Sequence, residues 1–354
     1  MKIKPMTKFA ILALSLVLVA CAGGGSEEAG CPAIDGREIN VVATTPMIGE
    51  FVSQVGGENI NLTVLMPPEA NPHTYEPAPQ DAGTIAEADL VFYTGLLYEP
   101  AALVKLLENS ACSTDILSEV GESVFPIEFK EGGHDDHDDH DDEEGHDDHD
   151  DEEGHDDEEG HDDHDDEEGH DDHEGHNHGA YDPHFWFDPS RVAYAAEYIE
   201  SRLIQFDPEN ESSYTSSADS FVSELNDLTK QVSELISTVP SQNRKLITTH
   251  ESLGYLEAKF GLEVLSTIIP SLNSANEISP SDLAGVIDVI EDNNVKVIFI
   301  ESEAPSVYSE TIVAETGIKP VTGLYVETLK PGQSYSEFLI SNVKLITENL
   351  QDTD

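Results

Sequence analysis

A block from Glu131 to Gly179 constrains this chain most, because it contains no apolar side chain. The block repeats short units of His, Asp, Glu and Gly, and it includes 28 acidic residues and 12 His but no Lys or Arg. A segment that can bury no apolar surface cannot join a hydrophobic core, so we expect it to be a disordered insert. The folded body must therefore form from the residues on either side of the insert.

The charge balance excludes one large class of function. Lys and Arg number 16 against 73 Asp and Glu, so the formal net charge is −57, and removing the 28 carboxylates of the insert leaves −29 for the rest of the chain. Nucleic-acid binding needs basic patches that neutralise phosphates, so a nucleic acid is not expected as a partner. Metal cations, in contrast, are attracted to such a chain.

The insert itself is a candidate metal binder. Because His-rich tracts bind metals, we predict an auxiliary metal loop that collects ions and raises their concentration near a binding cleft. A metal sensor, a periplasmic zinc buffer, or a solvated acidic loop with incidental His are the alternatives. The candidate ligands of this loop are His134, His137, His140, His146, His149, His155, His161, His164, His170, His173, His176 and His178.

The N-terminus indicates export. Three Lys precede an apolar run from Phe9 to Ala20, which is too short to span a bilayer as a mature helix and is typical of a secretory signal at residues 1–20. Small residues before Cys21 resemble the bacterial lipoprotein signal, so we predict lipidation of Cys21 and a tether over residues 21–37. Plain signal-peptidase cleavage beside a coincidental Cys is the alternative. The predicted location is outside the cytoplasm, where the lipid on Cys21 anchors the protein to the cell membrane.

Two further cysteines, Cys31 and Cys112, remain in the mature chain. In an exported protein such a pair can form a disulfide, although free thiols are an equal alternative at this point. Neither cysteine has the CxxC spacing of a redox or zinc site.

Short apolar runs alternate with helical patterns on both sides of the insert. For example, Ile39–Thr44 is predicted as a strand and Met47–Val55 as the helix that follows it. Such alternation predicts an α/β fold with parallel sheets. We predict an N-terminal lobe over 38–210, a long rigid linking helix over 211–240 and a C-terminal lobe over 241–354. Ligands of such sheets bind outside the carboxyl ends of the strands, so a metal cleft between the lobes is expected.

Three His lie outside the insert, and each is predicted just after a strand or at the start of a helix. They are His73, His184 and His250. A single loop His is usually a solvated surface residue, but three at such positions form a constellation. Imidazole nitrogens are favoured ligands of Zn²⁺, so the three His predict a metal site in the cleft.

The motifs around these His resemble those of a known family. They read Asn-Pro-His-Thr-Tyr-Glu-Pro at 71–77, Asp-Pro-His-Phe-Trp-Phe-Asp-Pro at 182–189 and Thr-His-Glu-Ser-Leu-Gly-Tyr at 249–255. They are similar to those of the metal-binding solute-binding proteins of bacterial ABC importers, and the zinc-uptake branch is most similar. The resemblance covers the body from about Ile39 to Leu350, and a His-rich insert is typical of that branch.

The resemblance implies a ligand set and a role. His73, His184 and His250 fall on the three imidazole positions of the family. Glu327 falls where the family has an Asp in a late stretch of the second lobe, so a Glu replaces the Asp, with a water or another carboxylate as the alternative fourth ligand. The implied role is not enzymatic: a monomer captures Zn²⁺ as its ligand and delivers it to the permease of an ABC importer in the membrane.

The resemblance also bears on the choice of metal. Manganese-type members carry a Glu at the position of His250, and Mn²⁺ prefers oxygen ligands, so His250 favours zinc over manganese. A cleft that takes several divalent metals is the alternative. Glu251 can be a ligand, an acceptor for an imidazole N–H or a residue that favours a helix start, and we prefer the last.

Two other functions compete with transport. A zinc hydrolase can use three His and a bound water, but the chain has no HExxH pattern and no clear general acid or base besides Glu251 and Glu327. A surface protein for metal storage or adhesion is the second alternative, although no repeat array supports adhesion. If the lobes do flank a linking helix, we expect small lobe tilts rather than wide hinge opening on metal release.

Overall fold

The computed structural model describes Cys31, Ile34 and residues 36–129, 181–303 and 307–351. The predicted signal peptide, the lipidation site Cys21 and the insert over 131–179 lie outside the described residues. So does most of the predicted tether.

The N-terminal lobe is built on a four-stranded parallel sheet with the strand order β2-β1-β3-β4. The strands are β1 (Ile39–Ala43), β2 (Ile60–Val64), β3 (Leu90–Tyr93) and β4 (Leu117–Glu119). The helices between and after them are α1 (Pro46–Gly56), α2 (Pro79–Ala86), α3 (Ala101–Ser110) and α4 (Pro189–Phe206). β1 is central and almost fully buried, as expected for an apolar, β-branched run that is covered on both faces.

The C-terminal lobe contains two parallel strand pairs that lie side by side, with β5 next to β7. Its strands are β5 (Lys245–His250), β6 (Glu263–Ile269), β7 (Val297–Glu301) and β8 (Lys319–Leu324). Its helices are α6 (Gly254–Phe260), α7 (Pro280–Asn293), α8 (Val307–Thr316) and α9 (Tyr335–Gln351). The predicted α/β class with parallel sheets is confirmed by this architecture.

The long helix α5 (Glu211–Ser237) has 27 residues. In the sequence it lies between the strands of the first lobe and those of the second. Its buried side chains recur at helical spacing and form one apolar stripe, from Tyr214 to Ile236. The stripe packs against α1 and α4 of the first lobe and against α6 and α9 of the second. These residues share one hydrophobic core with β1, β5 and β7. Burial of α5 against both lobes therefore stabilises their relative arrangement.

Several element boundaries differ from the sequence-based expectations. β4 was not predicted, because its three residues show too little apolar alternation to indicate a strand. α6 begins at Gly254, and the preferred interpretation of Glu251 as a helix-start residue is therefore wrong. The Glu251 carboxylate instead accepts a hydrogen bond from Thr267 Oγ1 at 3.0 Å, and its backbone N–H donates to the carbonyl of Ser271.

Cys31 and Cys112 are joined by a disulfide, with their Cα atoms 5.0 Å apart. The bond ties the segment before β1 to the residues just after α3. Within the described ranges, no helix combines the length and the hydropathy that a bilayer crossing requires.

Candidate metal centre

His73 lies on a single turn of 3-10 helix, Pro72–Thr74, in the segment that follows β2. Asn71 caps this turn: its side-chain Oδ1 accepts a hydrogen bond from the backbone N–H of His73 at 2.9 Å. Pro72 restricts the backbone between the cap and the His because its ring limits φ. The His73 side chain is only 2 % exposed.

His184 repeats this arrangement with an acid in place of the amide. Asp182, Pro183 and His184 precede a 3-10 helix at Phe185–Phe187, and Asp182 Oδ1 accepts from the backbone N–H of His184 at 2.8 Å. The same oxygen lies 2.8 Å from His184 Nδ1. A carboxylate at Nδ1 keeps the proton on that nitrogen and leaves Nε2 free to bind a metal.

His250 is the last residue of β5, and Glu301, the last residue of β7, lies beside it. Glu301 Oε2 is 2.5 Å from His250 Nδ1, and Glu301 Oε1 accepts from the His250 backbone N–H at 3.2 Å. Because the two strands are neighbours, their carboxyl ends bring this pair together. Glu301 therefore orients His250 in the same way that Asp182 orients His184.

Glu327 follows β8 and is the residue on which the three imidazoles converge. Its Oε1 lies 3.0 Å from Nε2 of His73 and 2.8 Å from Nε2 of His250, and its Oε2 lies 3.4 Å from Nε2 of His184. Tyr98 of the first lobe donates its hydroxyl hydrogen to Glu327 Oε2 at 3.0 Å. One ligand atom from each His and from Glu327 lies within 4.8 Å of the other three.

Charge inside this buried cluster shifts its protonation equilibria. Burial raises the pKa of Glu327, but the facing imidazoles outweigh that effect and hold its pKa well below the usual value. Burial lowers the pKa of His184, but Glu327 and Asp182 outweigh it and raise the pKa to about 9. Burial likewise lowers the pKa of His250, which Glu301 and Glu327 nevertheless raise well above its usual value. Without a metal, protons occupy the sites that a cation would take.

The donor chemistry of the cluster fits a divalent cation. Nε2 of His184 and Nε2 of His250 are buried, and neither has a well-aligned hydrogen-bond partner among the described residues, although Glu327 oxygens lie 3.4 Å and 2.8 Å away. Buried imidazole nitrogens beside a carboxylate are satisfied by a proton or by a bound cation. Three imidazole nitrogens and one carboxylate oxygen make four donors, the number that tetrahedral zinc takes, and both donor types are zinc ligands.

Comparisons with known proteins identify the family of the chain. The model of the family described as ZnuA, zinc-uptake complex component A, periplasmic, matches residues 41–349. The chain belongs to this family. As a ZnuA-family member it is an extracytoplasmic, metal-binding component of an ABC transporter, and not an enzyme, so the hydrolase hypothesis is set aside.

Two curated relatives cover nearly the whole chain. The manganese-binding lipoprotein MntA of Halalkalibacterium halodurans is 22 % identical over 95 % of this chain and 94 % of its own length. The manganese ABC transporter substrate-binding lipoprotein PsaA of Streptococcus anginosus is 25 % identical over 98 % of this chain and 99 % of its own length.

Among solved structures, the periplasmic zinc-binding protein TroA from Treponema pallidum has the same fold. Its TM-score is 0.69 at 20 % identity, and the match covers 88 % of this chain and 99 % of TroA. The names of these relatives and of TroA include both manganese and zinc, so they do not select one metal for this chain.

The structure brings together the four residues that were predicted as ligands, but the residues that orient them were missed. Asp182 lies inside the motif at 182–189 and precedes His184 by two residues, as Asn71 precedes His73. This shared spacing could have identified both residues as partners of the His. Glu301 ends β7, and an acid is unusual in a strand. Tyr98, in the other lobe, carried no signal in the sequence. Trp186 is buried, and its indole N–H donates to the carbonyl of Val326 at 2.8 Å.

Proposed function

We propose that this chain captures Zn²⁺ in the cleft between its lobes and delivers it to the permease of an ABC importer. The convergence of His73, His184 and His250 on Glu327 in a buried centre carries this proposal. Three neutral imidazoles and one carboxylate leave a net charge of +1 on a site that holds a divalent ion. Because a carboxylate completes the set, the arrangement favours binding over activation of a water molecule.

The donor set supports zinc over manganese. Imidazole nitrogens suit zinc, whereas carboxylate and carbonyl oxygens suit Mn²⁺. Here nitrogen supplies three of the four ligands, and His250 stands where the manganese-type members of the family are expected to have a Glu. The two curated relatives are named for manganese and TroA is named for zinc, so a direct measurement of metal preference is required.

Membrane attachment and metal collection are further parts of this proposal. Lipidation of Cys21 anchors the protein outside the cytoplasm, and the His of the insert supply metal to the cleft. The insert leaves and re-enters the fold at neighbouring positions. Glu128 and Tyr181 form an antiparallel bridge, and the Asp182 N–H donates to the Ile127 carbonyl at 3.0 Å. The insert is therefore removable without separating parts of the folded body.

The test is a competition titration that separates cleft from insert. Trp186 is the only tryptophan of the chain, and its ring centroid lies 5.5 Å from that of His184, so its fluorescence reports on the cleft. Zinc and manganese are titrated against a chelator into three proteins without the lipid anchor. These are the full chain, a variant lacking residues 131–179, and a variant in which His73, His184 and His250 are changed to Ala.

We expect one tight zinc in the deletion variant, weaker manganese binding at the same site, and loss of the tight site in the triple variant. Tighter binding of manganese than zinc would overturn the choice of metal and retain the importer role. Absence of a tight site from the deletion variant would make the insert the binder and favour storage or buffering.

A further inference from the structure

The side chain of Asn71 contacts both lobes at once. Its Oδ1 accepts from the backbone N–H of His73 at 2.9 Å within the first lobe. Its Nδ2 donates to Ser274 Oγ at 3.0 Å and to the carbonyl of Glu303 at 3.2 Å. Ser274 lies between β6 and α7 and is fully buried, and Glu303 follows β7, so both acceptors belong to the second lobe.

The equivalent residue at the other motif behaves differently. Asp182 has the same spacing to its His, but its carboxylate contacts both the backbone and the ring of His184. Asn71 makes only the backbone contact to its own His and directs its amide group across the cleft. An Asp in that place would lack the N–H donors that reach Ser274 and the Glu303 carbonyl.

The contacts of Asn71 link separation of the lobes to displacement of the turn that carries His73. If the lobes separate, the two bonds from Asn71 Nδ2 must break or must pull the 3-10 turn that carries His73 away from its position. We propose that Asn71 is a positioning residue that couples the closure of the two lobes to the orientation of His73, so that separation of the lobes loosens the metal. The inference rests on the proposed function, because it assigns a release step to the same site.

A local capping role is the competing explanation, and two substitutions separate it from the coupling. Asn71→Ser keeps a neutral side-chain oxygen that caps a helical turn well, but it is too short to reach the second lobe. Ser274→Ala removes an acceptor on the far side and leaves Asn71 and its cap untouched. If Asn71 acts only as a cap, neither change alters the release of metal.

The experiment uses the full chain loaded with one equivalent of Zn²⁺ and mixed rapidly with excess EDTA. The recovery of Trp186 fluorescence then gives the rate of zinc release from the cleft. We expect release about tenfold faster for Asn71→Ser and about fivefold faster for Ser274→Ala. In the double variant, Ser274→Ala should add less than a twofold change, since both substitutions break the same contact.

Asn59→Ser is the matched control. Asn59 donates to Ser213 Oγ at 2.7 Å, but it precedes the amino end of β2, whereas His73 follows the carboxyl end of the same strand. It should release zinc at the wild-type rate. A wild-type rate for Asn71→Ser, or independent effects of the two substitutions, would overturn the coupling. Failure of the unmodified chain to hold zinc in the cleft would instead overturn the proposed function.

Discussion

The two lobes hold their metal ligands by different means. In the first lobe, His73 and His184 are each positioned by a side chain two residues earlier, Asn71 or Asp182, across a proline. In the second lobe, His250 is positioned by Glu301, which is 51 residues away on a neighbouring strand.

Glu327 depends on an even more distant partner. The hydroxyl of Tyr98, which donates to its carboxylate, lies 229 residues earlier and belongs to the other lobe. A His that is held by the residue two positions earlier keeps its orientation as long as its own turn is intact. A ligand that is held by a distant residue depends on the packing of both lobes. Ligand orientation in the second lobe should therefore be the more fragile of the two.

The largest effect is expected at the residue where both lobes meet. Glu327→Gln removes the only negatively charged ligand, so a bound cation loses its one carboxylate partner in the cluster. Breaking a buried charged pair costs about 3–5 kcal/mol, so we expect zinc affinity to fall about a thousandfold, measured by chelator competition.

The matched control is Glu99→Gln. Glu99 is a buried carboxylate that accepts from Thr44 Oγ1 and from the backbone of Thr94 without contacting the His cluster. An equal loss of affinity in this control would show that the loss at Glu327 reflects general disruption of the fold.

Glu301→Gln tests the distant support of His250. The amide keeps the size of the side chain but removes the charge that makes the imidazole a stronger ligand. Loss of such a partner typically costs 10–100-fold in metal affinity, and we expect the upper end, about a hundredfold, because no neighbour in the sequence replaces it. A loss smaller than that in Asp182→Asn would contradict the contrast between the lobes.

Zinc affinity should rise with pH, because zinc displaces protons from the cluster. With the pKa of His184 near 9, each pH unit below that value should weaken binding about tenfold per displaced proton. Chelator competition between pH 6 and pH 9 measures the slope, and an affinity independent of pH in this range would contradict the protonated state of the metal-free site.

The raised pKa of His184 also determines how the stability of the metal-free protein changes with pH. A His with a raised pKa stabilises the fold fully below its unfolded value, about 6.5, and this contribution is lost as the pH rises through about 9. The lowered pKa of Glu327 gives the opposite dependence: its contribution is present above its unfolded value and is lost on acidification. Thermal unfolding of the metal-free chain should therefore show a lower midpoint at pH 9.5 than at pH 7.

Asp182→Asn tests the local support of His184 and should have the smallest effect. The amide oxygen still caps the turn, and Pro183 and the following 3-10 helix still restrict the backbone of His184. We expect affinity to fall about tenfold, the lower end for such partners, in the same chelator assay. Equal losses here and in Glu301→Gln would show that sequence distance does not decide how firmly a ligand is held.

Much of the secondary structure followed from patterns along the chain. β1 and α1 lie within one residue of the predicted strand Ile39–Thr44 and helix Met47–Val55, because an apolar β-branched run forms the strand and Thr45 and Pro46 start the helix. β4 was missed since a three-residue strand has almost no pattern of its own. Glu251 was misassigned because an acid beside a predicted helix looks like a helix-start residue whether or not the helix begins there.

The three candidate His ligands were identifiable in advance for a physical reason, whereas Glu327 was indicated by the family resemblance alone. The turns that present His73 and His184 are encoded by short motifs, in which an amide or acid caps the turn and a proline restricts it. His250 ends β5, at the carboxyl end of a parallel strand, where an α/β fold exposes its ligand groups. Such information lies within a few neighbouring residues, so it can be read from the sequence before the fold is known.

The contacts that orient the metal ligands from a distance form only when the chain is folded. Glu301 meets His250 only because β7 lies beside β5, and Tyr98 meets Glu327 only because the two lobes close on each other. Asn71 reaches Ser274 for the same reason. These partners are separated by 51 to 229 residues, and no spacing rule along a chain relates them. Packing of the shared core sets the distances, and through them the protonation and orientation of the metal ligands.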